Sequence, residues 1–184
     1  MFRERRQERR EERREERHGG GGATHYRMRQ KLAAIGDDFW IEDEQGNRAF
    51  KVDGKALRVR ETLVFEDASG NELARIQQRV ARVRETMEIE APDGRTIATV
   101  KKAMITPLRE RFSVKIGDGP DLEVQGNILD HEYTVEADGR KVAEVSKKWF
   151  RIADTYGVEV GEGQDPALIL AVTAALDSIV NPAR

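Results

Sequence analysis

From Phe39 to Val145 the chain repeats one theme five times: an alternating apolar run, a turn built around glycine, and a second alternating run. The copies are Phe39–Phe50 around Gln45-Gly46-Asn47, Leu63–Ile76 around Ser69-Gly70-Asn71, Met87–Val100 around Asp93-Gly94, Phe112–Val124 around Gly117-Asp118-Gly119, and Tyr133–Val145 around Asp138-Gly139. Tight turns of this kind need backbone at positive φ, which glycine adopts without steric penalty, so each copy reads as a β-hairpin. Gly46, Gly70 and Gly94 recur every 24 residues, which leaves room for two strands and a connection per unit. A sixth, weaker unit is expected from Trp149 through Tyr156-Gly157-Val158-Glu159-Val160.

Within the runs the apolar residues recur at spacing two. Leu63 with Phe65, Met87 with Ile89, Phe112 with Val114, and Tyr133 with Val135 share one face; Glu66, Glu88, Glu90, Ser113, Lys115 and Glu136 lie on the other. One dry face and one wet face is the antiparallel pattern. A sheet of ten to twelve such strands is expected to close on itself rather than leave its edges open.

The last segment changes period. Asp165-Pro166 supplies an N-cap and a proline for the first helical position, and Asn181-Pro182 supplies a stop. Between them, Ala167 to Val180 is apolar nearly all round, interrupted only late by Asp177 and Ser178. A helix without a polar face calls for complete burial. At 1.5 Å per residue it spans roughly 22 Å, short of the roughly 30 Å of a hydrocarbon core, so no transmembrane segment is expected. A barrel of about twelve strands is too wide for its own side chains to fill. The helix is therefore predicted to occupy the lumen, over about residues 166–180.

The first eighteen residues hold eight Arg and six Glu and almost nothing apolar. With nothing to bury and no apolar h-region, this stretch reads as a flexible or solvated helix rather than a signal peptide, and Gly19–Gly22 as a hinge. The expected division is thus 1–22 as tail and hinge and 23–184 as barrel. Across all 184 residues, 32 Lys and Arg stand against 34 Asp and Glu, a balance that argues against nucleic acid as a partner. Cysteine is absent and only three histidines are present, which excludes thiol chemistry and makes a multi-histidine metal site improbable.

Several segments, in order, resemble the LURP-one-related (LOR) family: Gly126-Asn127-Ile128-Leu129-Asp130-His131-Glu132-Tyr133-Thr134-Val135, then Ser146-Lys147-Lys148-Trp149-Phe150, then Asp154-Thr155-Tyr156-Gly157-Val158-Glu159-Val160, then the Asp-Pro helix. The resemblance runs from about Tyr26 to Val180. That family is similar to the tubby C-terminal domain and to phospholipid scramblases. It implies a twelve-stranded barrel around a hydrophobic C-terminal helix, a tubby C-terminal-like fold, with no enzymatic site. Through those relatives it points toward phosphoinositide binding or a membrane-lipid and calcium association.

Three kinds of site follow for consideration. The scramblase likeness directs attention to Asp154, Glu159, Glu162 and Asp165 as weak calcium candidates, but their spacing lacks the regular alternation of a calcium loop. Basic residues along the strands suggest an anionic headgroup site, with Arg82, Arg84, Lys101 and Lys102 as its candidates and Arg79, Arg109, Arg111, Lys147 and Lys148 nearby. Glu85, Glu88, Glu110 and Glu144 are interleaved with them, as on an ordinary soluble surface. For catalysis the chain offers no GxSxG serine and no phosphate loop, and Asp130 and His131, as neighbours on a strand, would face opposite ways. Trp149 and Phe150 are expected as one core and one rim aromatic. No cofactor is expected.

The sequence thus predicts a mainly-β closed antiparallel barrel with a central helix, non-enzymatic and cytoplasmic, binding or scaffolding a protein partner. Peripheral binding of anionic phospholipid is the alternative. A small-molecule carrier would need Ala171, Ala174 and Ala175 to leave lumen space beside the helix.

Overall fold

The computed structural model describes residues 22–29, 38–57, 60–79, 86–103, 110–150 and 155–182. They form twelve strands: β1 (Thr24–Arg29), β2 (Asp38–Glu42), β3 (Arg48–Leu57), β4 (Arg60–Asp67), β5 (Glu72–Gln78), β6 (Thr86–Glu90), β7 (Thr96–Lys102), β8 (Glu110–Ile116), β9 (Leu122–Asn127), β10 (Glu132–Ala137), β11 (Arg140–Ser146) and β12 (Thr155–Val160). A 3₁₀ turn covers Lys147–Trp149, and one helix, α1, covers Pro166–Val180. Every strand pairs antiparallel with its sequence neighbours, and β12 returns to β1 to close the barrel.

All five hairpins form where the alternating runs place them. In the first, Gly46 N–H donates to Asp43 O and Asp43 N–H to Asn47 O, a type I turn followed by a one-residue bulge, with Gly46 at φ 82°. The Asp43 carboxylate also accepts from the N–H groups of Gln45 and Asn47. The turn at Asp67–Asn71 repeats these bonds atom for atom. The β10–β11 turn is tighter: Asp138 and Gly139 both stand at positive φ, the two-residue form that matches strand twist.

The expected inward faces are the buried ones: Phe65, Met87, Ile89, Phe112, Val114, Tyr133 and Val135 are all under 5% exposed. The sixth unit, however, is a single strand. Trp149 belongs to the 3₁₀ turn, and among the described residues of the unit β12 alone extends, hydrogen-bonded to β11 on one side and β1 on the other. The last strand pairs with the first, and that arrangement closes the barrel without a further hairpin.

Helix α1 begins as read, with the Asp165 side chain accepting from Ala167 N–H at 2.9 Å and Pro166 in the first turn. Residues Ile169 to Ile179 are all buried, including Asp177 and Ser178. Full burial of an Ile, Leu or Val side chain contributes about 1.5–3 kcal/mol, so the helix supplies much of the core that the strands alone leave unfilled. Ala171, Ala174 and Ala175 are 1% exposed or less, packed within this core.

Candidate functional site

The acidic candidates are dispersed. Glu159 sits on the outer side of β12, its carboxylate 3.2 Å from His25 Nε2 and 3.4 Å from Lys141 Nζ. Asp165 caps the helix, and Glu162 lies in the exposed turn between them, its carboxyl group close against Gly22. Asp154 falls outside the described residues. Among the described residues no three His, Cys, Asp or Glu side chains are gathered as ligands for one ion.

Of the basic candidates, Arg82 and Arg84 (and Arg109) lie outside the described residues. Lys101 and Lys102 are placed on opposite faces of β7. Lys101 is exposed, whereas Lys102 runs over the Phe112 ring with its Nζ 3.8 Å from Glu110 Oε1. Lys101 lies opposite Ser113, and Arg111 and Lys115 flank Ser113 at two residues either way, so three exposed cations share the outer surface of β7 and β8. Two of the other basic candidates are paired: Arg79 bonds Glu88 at 2.8 Å, and Lys148 bonds Glu132 at 3.2 Å.

Two further clusters emerge only in three dimensions. The first is on the outer wall of β1, β12 and β11. Trp149 and Phe150 are both half-buried there, not one core and one rim, because their rings pack against Gly157 of β12. A Cβ at Gly157 would meet Trp149 Cε3 at 2.6 Å and Phe150 Cε2 at 2.8 Å. The 3₁₀ turn that presents them is held by Glu132, whose carboxylate accepts from Ser146 Oγ and from Lys147 N–H. His25 meets the Trp149 ring edge-on at 5.6 Å, and the Arg27 guanidinium lies 5.9 Å from the Phe150 centroid while it pairs with Glu42. Glu44 accepts from both His25 N–H and His25 Nδ1, and these bonds together with the ring's coulombic pull hold its carboxyl below the usual range.

The second cluster is internal, at the C-terminal end of α1. His131 is not on a strand; it closes the turn before β10 at φ 55°, and this turns its ring inward. Its Nε2 lies 2.9 Å from Asp177 Oδ1 on the helix, and its ring stacks on Tyr156 at 4.1 Å. Asn181 Nδ2 donates to the same carboxylate oxygen. Burial, reinforced by the Asp177 charge, pushes the phenols of Tyr133 and Tyr156 up from their ordinary range, so both stay protonated. Sequence reasoning weighed His131 against Asp130 and missed this pair. The available signal was Asp177 itself, since a lone acid on an all-apolar helix needs an internal partner.

Chemically, the interior pair is placed as a joint between helix and wall: His131 is 3% exposed, Asp177 2% and Tyr156 0%. The outer wall presents aromatic surface framed by charge. Fold and surface together define a barrel closed around its own C-terminal helix, with its polar chemistry divided between a sealed joint and an outer face. The chain belongs to the LURP-one-related family, whose model matches residues 24–177. It is 29% identical over 154 residues to the uncharacterized protein YxjI of Bacillus subtilis, covering 83% of this chain and 91% of that one. It shares its fold with a protein from Arabidopsis thaliana solved by X-ray methods, at a TM-score of 0.64 and 21% identity, over 85% of this chain and 91% of that one. Among the described residues no helix is long and apolar enough to cross a membrane.

Proposed function

We propose that this chain is a non-catalytic, cytoplasmic binding module that engages a protein partner through the outer wall of β1, β12 and β11. The observation that supports this reading is the pair Trp149 and Phe150, half-exposed, fixed in place by Gly157 and bordered by Arg27 and His25. Trp and Arg are the side chains that most often dominate protein interfaces, and a rigid aromatic loses little entropy on binding. The interior His131–Asp177 pair is stacked beneath Tyr156 and has no hydroxyl or thiol nucleophile bonded to its free ring nitrogen.

A second reading rests on a separate observation. Lys101, Arg111 and Lys115 project together from β7 and β8, and these three would form a site for an anionic phospholipid headgroup at a membrane surface; Lys102 stands on the opposite face beside Glu110, and Arg82 and Arg84 lie outside the described residues.

Co-sedimentation with neutral and anionic vesicles, at low and high salt, separates the two. Absence of binding to either vesicle supports the protein-partner reading, provided that quantitative in-cell cross-linking recovers a partner with the native chain and loses it with Trp149→Ser. Binding to anionic vesicles alone, abolished by salt and by Lys101→Glu with Arg111→Glu, overturns it in favour of the lipid. Calcium-dependent sedimentation would instead direct attention to Glu159, Glu162, Asp165 and Asp154.

A further inference from the structure

The barrel is not equally closed all the way round. β1 is joined to β12 through six register pairs and β2 to β3 through five, yet across the β1–β2 seam only Arg27 and Glu42 are in register among the described residues. Side chains do the rest of the closing. The Arg27 guanidinium pairs with the Glu42 carboxylate, and His25 spans the strand from one neighbour to the other. Its Nδ1 lies 2.9 Å from Glu44 Oε1 on the β2–β3 turn, and its Nε2 lies 3.2 Å from Glu159 Oε2 on β12.

Ionised carboxylates only accept hydrogen bonds, so the ring satisfies both partners only when both of its nitrogens carry hydrogen. That species is the imidazolium; the neutral ring donates to one carboxylate and leaves the other facing a lone pair. Glu44 on the turn and Glu159 on β12 are the carboxylates on the ring, with Asp43 next to Glu44 in the chain, Glu42 paired to Arg27 of the ring's own strand, and Glu144 opposite Glu159 in the β11–β12 register. Against them stand Arg27, paired with Glu42, and Lys141, which lies 2.6 Å from Glu144 and 3.4 Å from Glu159. Tyr26 on the same strand stays neutral, its phenol pushed up by burial and by Asp43 and Glu44. Lys147 and Lys148 lie in the 3₁₀ turn that places Trp149 against the ring, and Lys148 is paired with Glu132.

We infer that His25 is a proton-operated clasp on the β1–β2 seam: protonated, it ties the β2–β3 turn to β12 across β1, and on losing its proton it releases that tie and lets the seam loosen. Histidine is suited to this, because its charge changes within the range that cells and compartments traverse. Among the described residues the seam shows one register pair, so a side-chain tie across it has little ladder bonding to compete with.

Hydrogen exchange of the full chain at about pH 5 and about pH 8, corrected for the intrinsic exchange rate at each pH, tests the clasp. The expected result is that amides of Arg27, Trp40 and Glu42 exchange several-fold faster at the higher pH, while Leu63 and Ile76 in the β4–β5 ladder do not change. In His25→Gln the seam should exchange at the loosened rate at both pH values, and Glu44→Gln should blunt the response by removing one acceptor of the charged ring. Equal seam exchange at the two pH values in the native chain would overturn the inference, as would a full pH response retained in His25→Gln. A response shared by Leu63 and Ile76 would also overturn it, because it would report opening of the whole barrel. The measurement uses the isolated protein, so it stands or falls apart from any partner.

Discussion

Both histidines among the described residues pair with carboxylates, and they do so in opposite settings. His131 meets Asp177 inside the barrel, both side chains 3% exposed or less, with a stacked tyrosine over the ring and an asparagine sharing the acid. His25 meets Glu44 and Glu159 at the surface, where the three side chains are 23%, 45% and 21% exposed. The same functional groups are therefore structural in one place and adjustable in the other. In the interior, separating the partners leaves a desolvated polar group with no water to replace the lost bond, so the pair fixes the helix against the wall. At the surface, water and counter-ions compensate most of the loss, and the net interaction is small.

The contrast can be broken most severely at the helix itself. Leu170→Asp should abolish folding, because an unpaired charge buried at that fully enclosed position costs several kcal/mol or more against a total stability of roughly 5–15 kcal/mol. Near-ultraviolet circular dichroism and a melting curve check this, and a folded variant with native melting would refute the central-helix packing. Next in size, Asp177→Ala should lower stability by about 3 kcal/mol in urea unfolding, since it orphans His131 and Asn181 together. If Asp177→Ala proved no more costly than Glu159→Ala, the division into a rigid interior and an adjustable surface would be wrong.

A smaller effect is expected on the outer wall. Gly157→Leu places a side chain where Trp149 and Phe150 now lie and should cost about 1–3 kcal/mol through displaced packing. Tryptophan emission should shift red as Trp149 lifts from the wall, with the interior tyrosines unaffected. The smallest change concerns the hairpin turns. Hydrogen bonds from the Asn71 side chain and then from the Asn71 and Ser69 backbone hold the Asp67 carboxyl below its ordinary value. A depressed carboxyl adds stability that is present above the unfolded-chain value of about 4 and is lost as pH falls through the folded one. Asp67→Ala should therefore be slightly less stable than the native chain at neutral pH and equal to it in strong acid. A gap between the two melting curves that persisted at the lowest pH would show that the carboxylate charge is not what holds the turn.

The fold was largely readable from local pattern. Spacing-two apolar runs and their turns involve residues a few positions apart, and each hairpin formed where Gly46, Gly70, Gly94, Gly119 and Gly139 place it. The same holds for α1, whose ends follow from Asp165, Pro166 and Asn181. Reading failed where contact is non-local. His131 and Asp177 are 46 positions apart, and His25 and Glu159 are 134 apart, so no spacing rule links them. It failed likewise for Trp149 and Phe150, because alternation assigns faces only on a strand, and the chain leaves the strand at Ser146 to form a 3₁₀ turn.

What the sequence alone determined is the set of elements and their inward faces, because steric and hydrophobic preferences act over neighbouring residues and repeat with the element's own period. Tertiary structure alone decided which charges meet. Closure of the barrel brings its first strand against its last and passes the helix end beneath the β9–β10 turn. Coulombic and hydrogen-bond partners are then chosen by distance in space, which a linear order of residues does not contain.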